Sequence, residues 1–212
     1  MKTGLIFDMD GTLWNPSEAA AKSWSEKVRQ LGYNRPDITK EDFMGIMGAT
    51  MDKVAEAFFG DLPEEERLNL LSECGKHENE YLRTHDGGAY PELKETLDVL
   101  SQKYDLFIVS NCQSGYIEAF LEFNNYGDYF KDIACYGDNL KVKSENIALI
   151  VERNGIENAY YIGDVQGDYD SSKAAGVKFI HAAYGFGEID DVVPKIDKIS
   201  DLPALMENIL NV

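Results

Sequence analysis

Two acids one residue apart, Asp8 and Asp10, follow the apolar run Leu5-Ile6-Phe7 and precede Gly11-Thr12. An apolar run that ends in a charge reads as a buried strand delivering its last side chain to the edge of a sheet. In an open parallel sheet that edge is where ligands bind. A carboxylate placed there can act as a nucleophile, and a second acid in the turn beyond it can move a proton. Gly11 allows a sharp turn whose free amides face an anion of phosphate size. The stretch also reads as a plain acidic turn or a calcium loop, although the third acid and spaced glutamate of an EF-hand loop are absent.

Other polar groups follow later apolar runs. Ser110-Asn111 comes after Leu106-Phe107-Ile108-Val109, and Gly163-Asp164 comes after Ala159-Tyr160-Tyr161-Ile162, with Asp168 and Asp170 just downstream. A strand-end acid and another in the next loop suit magnesium, which takes carboxylates, waters and substrate oxygens in an octahedron. Between these groups lie Lys141 and Lys143, either of which can supply a positive point charge to a phosphate. Each piece alone has an ordinary reading. Ser110-Asn111 can cap a helix, the lysines can be solvated, and acids near Asp164 favour a helix N-terminus in any case. Together, in this order and on one sheet edge, they describe a site that binds phosphate and metal.

The elements that must hold these groups divide the chain in two. From Asn15 to about Asp86 the pattern is helical throughout. Asn15-Pro16-Ser17-Glu18 reads as a helix start, Ala20, Trp24, Val28 and Leu31 share a face, and Gly32 stops the helix. Thr39 caps a short helix carrying Phe43, Ile46 and Met47, which breaks at Gly48. Another helix runs through Val54 and Phe58 to Gly60, and Pro63 opens a long acidic one with Leu68, Leu71 and Leu82 toward a core. Gly87-Gly88 suggests a hinge. From Tyr90 strand and helix alternate, which calls for a parallel sheet covered on both faces by right-handed crossovers. The expected fold is therefore α/β, a doubly wound parallel sheet formed by residues 1–14 and 86–212, with an all-helical insertion at 15–85. Ser144 is the expected N-cap of the helix after Lys143.

Composition narrows the partners. A formal net charge of −18 argues against nucleic acid or an anionic membrane, and the chain has no apolar run long enough to span a bilayer. With no signal peptide and with Cys74, Cys112 and Cys135 odd in number and far apart, the expected location is cytoplasmic. Oligomeric state is not readable.

Taken together, Asp8-Met9-Asp10-Gly11-Thr12, Ser110-Asn111, and Gly163-Asp164 with Asp168 resemble the first, second and fourth motifs of the haloacid dehalogenase-like superfamily. The resemblance is to its phosphatases with a helical cap after the first motif, and it covers essentially the whole chain. The family's third motif is a lysine usually followed by proline; here the better match is Lys143, followed by Ser144. The resemblance implies a magnesium-dependent phosphomonoesterase acting on a small phosphorylated metabolite such as phosphoglycolate. Asp8 would be the nucleophile and Asp10 the general acid and base. Ser110, Asn111 and Lys143 would hold the phosphate. Asp8, Asp10 or alternatively the Met9 carbonyl, Asp164 and Asp168 would hold the metal. A phosphoglucomutase-like transferase uses similar residues, and a non-catalytic binding domain on the same fold is the alternative of another class. The loop Gly48-Ala49-Thr50-Met51 between two of the helices reads either as the contact with the leaving group or as an ordinary interhelical turn.

Overall fold

The structure is a computed structural model that describes residues 2–210. Six parallel strands form one sheet: β1 Thr3–Phe7, β2 Asp105–Ser110, β3 Phe130–Cys135, β4 Asn158–Gly163, β5 Lys178–Ala182 and β6 Lys195–Ile196. Their spatial order is β3-β2-β1-β4-β5-β6. The chain therefore builds outward from β1 on one side, then crosses to build outward on the other. That reversal beside β1 is a topological switch point, where an α/β sheet opens a crevice at the carboxyl ends of its strands.

The strands are apolar on both faces because both faces are covered. Leu5, Phe7, Leu106, Ile108, Tyr160 and Ile162 face one way, and Ile6, Phe107, Val109 and Tyr161 the other, as the two-residue period of a strand requires. The first face packs on helices α5 (Leu93–Leu100), α6 (Tyr116–Asn124) and α10 (Leu202–Leu210); the second packs on α8 (Lys143–Asn154) and α9 (Gln166–Ala174). A one-turn helix, α7 (Tyr136–Asn139), joins β3 to α8.

Four helices lie between β1 and α5: α1 Ser17–Gln30, α2 Lys40–Met44, α3 Met51–Phe59 and α4 Glu64–Leu82. They surround their own apolar cluster, with Trp24 and Val28 from α1, Phe43 from α2, Phe59 from α3 and Leu70 and Cys74 from α4. The connections into and out of this helical segment run side by side. The Asn15 amide donates to the Gly88 carbonyl at 2.9 Å, and the Tyr90 amide to Leu13 at 3.1 Å. At Gly87 a Cβ would stand 2.3 Å from the Trp14 ring, so only glycine lets the two passes approach this closely.

Four expectations are corrected. Leu31 is 42% exposed, because α1 has already ended at Gln30, and Leu68 is 46% exposed. The buried face of α4 is instead Leu70, Cys74, Gly75, Glu78, Asn79 and Leu82, one stripe along the helix. The helix with Phe43 ends at Met44, before Ile46 and Met47. Ser144 is not an N-cap: α8 begins at Lys143, and the Glu145 carboxylate accepts the Val142 amide at 3.3 Å in place of a Ser144 cap. The strand β6, two residues long, lies in a stretch the sequence pattern leaves as loop.

Candidate active site

Because β1, β2 and β4 are neighbours, their carboxyl ends bring together side chains more than a hundred residues apart. Asp8 follows β1 and its amide donates to Ile162 of β4 at 2.9 Å, which fixes its position against Asp164. Asp8, Asp164 and Asp168 are all buried, and one carboxylate oxygen from each lies within 4.8 Å of the others. Lys143, only 4% exposed, stands among them, with Nζ donating to Asp8 Oδ1 at 2.8 Å and to Asp168 Oδ1 at 2.5 Å. The first residue of α8 thus reaches the end of β1.

Asp168 is held from its other side. Its Oδ2 accepts the Asp164 and Val165 amides at 3.1 and 3.3 Å, a contact that also closes the first turn of α9. Asp164 Oδ2 accepts the Phe186 amide at 2.7 Å, while its Oδ1 is buried with no partner. An unpaired buried carboxylate oxygen is costly, and it sits where a cation would be its natural partner. Three acids around one ammonium leave two negative charges uncompensated when all are ionised, so the donor set fits a divalent, oxygen-seeking ion such as magnesium. The electrostatics agree. Burial, followed by the Asp168 charge, pushes Asp164 up to about 7 and raises Asp8 well above the usual carboxylate range.

Asp10 is set apart from this cluster. Its Oδ1 accepts Trp14 Nε1 at 2.9 Å and the Tyr116 hydroxyl at 2.8 Å. Burial raises its pKa, and those two hydrogen bonds pull it partly back, so it keeps a proton more readily than a free carboxylic acid. The Met9 carbonyl, the alternative ligand named with Asp10, lies in the same turn. It accepts the amides of Thr12, Leu13 and Trp14 as the pivot of the turn.

Ser110 is buried at the end of β2, where its hydroxyl accepts the Cys112 amide at 3.4 Å. Asn111 points its amide to the helical segment, donating to the Gly48 carbonyl at 3.1 Å, and its Oδ1 is buried without a partner. Lys141 is exposed, and Asp170 lies on the outer side of α9, bonded to Gln166. Gly48, Ala49 and Met51 line a cavity that Asp8 and Asp10 also line.

Several residues here escaped the sequence reading. Tyr161 donates to the Val109 carbonyl at 2.9 Å and lies 3.4 Å from Asp8 Oδ1. Trp14 and Tyr116 orient Asp10. Glu78, on α4, is buried and accepts Trp24 Nε1 and Gln113 Nε2, both at 2.9 Å on the same oxygen, Oε2. Burial pushes its pKa up to about 7. One signal for Glu78 was present: an acid in register with Leu70, Cys74 and Leu82 on an otherwise apolar stripe.

Gly11 has φ +86°, and a Cβ there would lie 2.0 Å from Asp164 Oδ2. Gly11→Ala is therefore expected to displace Asp164 and lower turnover by about a hundredfold, while circular dichroism shows an intact fold. Retained activity would mean that the turn does not set the position of Asp164.

The chain matches the haloacid dehalogenase-like hydrolase family over residues 5–182. It is 28% identical to a phosphoglycolate phosphatase of Aquifex aeolicus, an alignment covering 96% of each chain. It is also 28% identical to a 5'-nucleotidase of Pseudomonas aeruginosa, over 89% of this chain and 86% of that one. In fold it is similar to CbbY from Rhodobacter sphaeroides crystallised with phosphate, with a TM-score of 0.82, 16% identity and coverage of 98% and 100% of the two chains. With a match over most of its length and the acids of that edge in place, the chain belongs to the haloacid dehalogenase-like hydrolases.

Proposed function

We propose that the chain is a magnesium-dependent phosphomonoesterase that hydrolyses a small phosphorylated metabolite through an acyl phosphate formed on the Asp8 carboxylate. The observation that carries this reading is the separation of roles among the acids. Asp8 lies in the Asp164–Asp168–Lys143 cluster, whereas Asp10 is held outside it, with its own donors and a raised pKa.

In this reading an oxygen of Asp8 attacks phosphorus, and the bond from phosphorus to the ester oxygen breaks. Asp10 gives its proton to that departing oxygen. Now a carboxylate, Asp10 takes a proton from water as the water attacks phosphorus, which frees inorganic phosphate and restores Asp8. Lys143 and Ser110 sit where they can stabilise charge on the transferring group. Asp8, Asp164 and Asp168 are the side chains that would hold magnesium, whose charge, when it is bound, offsets that of the acids and the phosphate. The helical segment covers the site through Asn111 on Gly48 and Asn79 on the Ser114 carbonyl at 2.8 Å, and its opening would admit substrate. Relatives named as phosphoglycolate phosphatases and a 5'-nucleotidase support a phosphorylated small molecule as substrate.

Hydrolysis of p-nitrophenyl phosphate, with magnesium and then with excess chelator, tests the reading. Turnover should fall by at least about a hundredfold on chelation and return when magnesium is restored. Full activity in chelator, with bound metal shown absent by elemental analysis, would refute it.

A further inference from the structure

The cavity beside Asp8 and Asp10 has an unusual wall for an enzyme expected to accept an anionic leaving group. Trp24, Phe43, Met47 and Val54 make it apolar, Glu78 places a carboxyl in it, and no Lys, Arg or His is among its described lining residues. Glu78 is 4% exposed, and its partners Trp24 and Gln113 are both neutral. Both of them meet Oε2, which leaves Oε1 for whatever occupies the cavity. Burial with neutral partners alone favours the protonated carboxyl, and a cation beside it would hold it as the carboxylate. A substrate carboxylate would be repelled there, whereas an ammonium would supply the missing charge and find aromatic walls that favour it. Lys53 and Lys143 line a separate recess; Lys53 is exposed there, and Lys143 is bonded to Asp8 and Asp168.

We propose that Glu78 selects the leaving group, and that the substrate is the phosphate monoester of a small amino alcohol whose ammonium meets Glu78 Oε1. This rests on the phosphomonoesterase reading and narrows it, setting the chain apart from the phosphoglycolate phosphatases it resembles.

Three esters of nearly equal size isolate the effect of charge: 2-aminoethyl phosphate, 2-hydroxyethyl phosphate and phosphoglycolate, with p-nitrophenyl phosphate as the general substrate. For the natural protein with magnesium, kcat/KM is expected to fall in that order among the three. The amine should lead the acid by at least about tenfold, as for a hydrogen bond to a charged group. Glu78→Gln keeps acceptor and shape for Trp24 and Gln113 but removes the charge, so it should cut that preference by about tenfold. If Glu78 served only to anchor Trp24 and Gln113, the series would be flat and E78Q would not change it; either result overturns the proposal. Phosphoglycolate as the preferred ester would also overturn it, as would turnover of p-nitrophenyl phosphate but of none of the three, and both leave the phosphomonoesterase reading standing. Loss of p-nitrophenyl phosphate turnover as well would refute that reading itself. Should E78Q fail to fold, the order measured on the natural protein decides alone.

Discussion

Asp8→Asn is expected to leave turnover at background, a loss of at least about ten-thousandfold, because an amide oxygen is too weak a nucleophile to replace a carboxylate. Folding should survive the change. Asp8 is buried with a raised pKa, so an uncharged side chain of the same shape relieves desolvation, and Lys143 keeps Asp168 as its counterion. Asp10→Asn should behave differently. It removes the proton donor but not the nucleophile, so turnover falls by about a hundredfold or more while Asp8 can still be phosphorylated by an ester with a good leaving group. Steady-state assays on both variants, with thermal melts to show that each is folded, check the pair. Equal loss in the two, or activity in Asp8→Asn, would contradict the division of roles.

Lys143→Ala carries the second large effect. The ammonium is buried between Asp8 and Asp168, and the same position lets it bond a transferring phosphate. Charge-assisted hydrogen bonds are worth roughly 1.5–3 kcal/mol, so kcat should drop by about one to two orders of magnitude even where substrate still binds. Stability should fall too, since removing one partner of a buried ion pair costs about 3–5 kcal/mol. That deficit depends on pH in a definite direction. With Lys143 gone, the Asp8 carboxyl, whose folded pKa is already raised by burial, is destabilising when ionised. The loss should be largest near neutral pH and shrink as pH falls through the folded pKa of Asp8. Lys141→Ala is the control, since its side chain is exposed, and it should remain near the natural level in both activity and melting temperature. The reverse behaviour of the two lysines would move the phosphate role to Lys141.

What the sequence made legible was local or periodic. Leu5 to Asp8 could be read because a strand buried on both faces has no alternation to obscure its polar end. Ser110 ends a strand of the same kind and Asp164 follows one. Lys143 was singled out on an expected Ser144 N-cap that the fold does not have: the helix starts at Lys143 itself, and Glu145 provides the capping contact. Glu78 was missed for a different reason. It lies on an acidic helix, and its burial comes from Trp24, fifty-four residues earlier, and Gln113, thirty-five later. Tertiary packing decides which face of such a helix turns inward, and the competing stripe of Leu68 and Leu71 concealed it. Asn111 shows the same limit. Its place at the end of β2 was readable, but its bond to Gly48 depends on how the helical segment sits over the sheet.

The proposed mechanism turns on one covalent bond. The natural protein, mixed with a phosphomonoester and magnesium, quenched in acid, digested and sequenced by mass spectrometry, should carry phosphate on the Asp8 side chain. The modified peptide should disappear on incubation in mild base, as an acyl phosphate does. The same treatment of Asp8→Asn should give no modified peptide. Phosphate found on Ser110, Asp10, Asp164 or any other residue, or the absence of a covalent species in a rapidly quenched and fully active enzyme, would contradict the central claim.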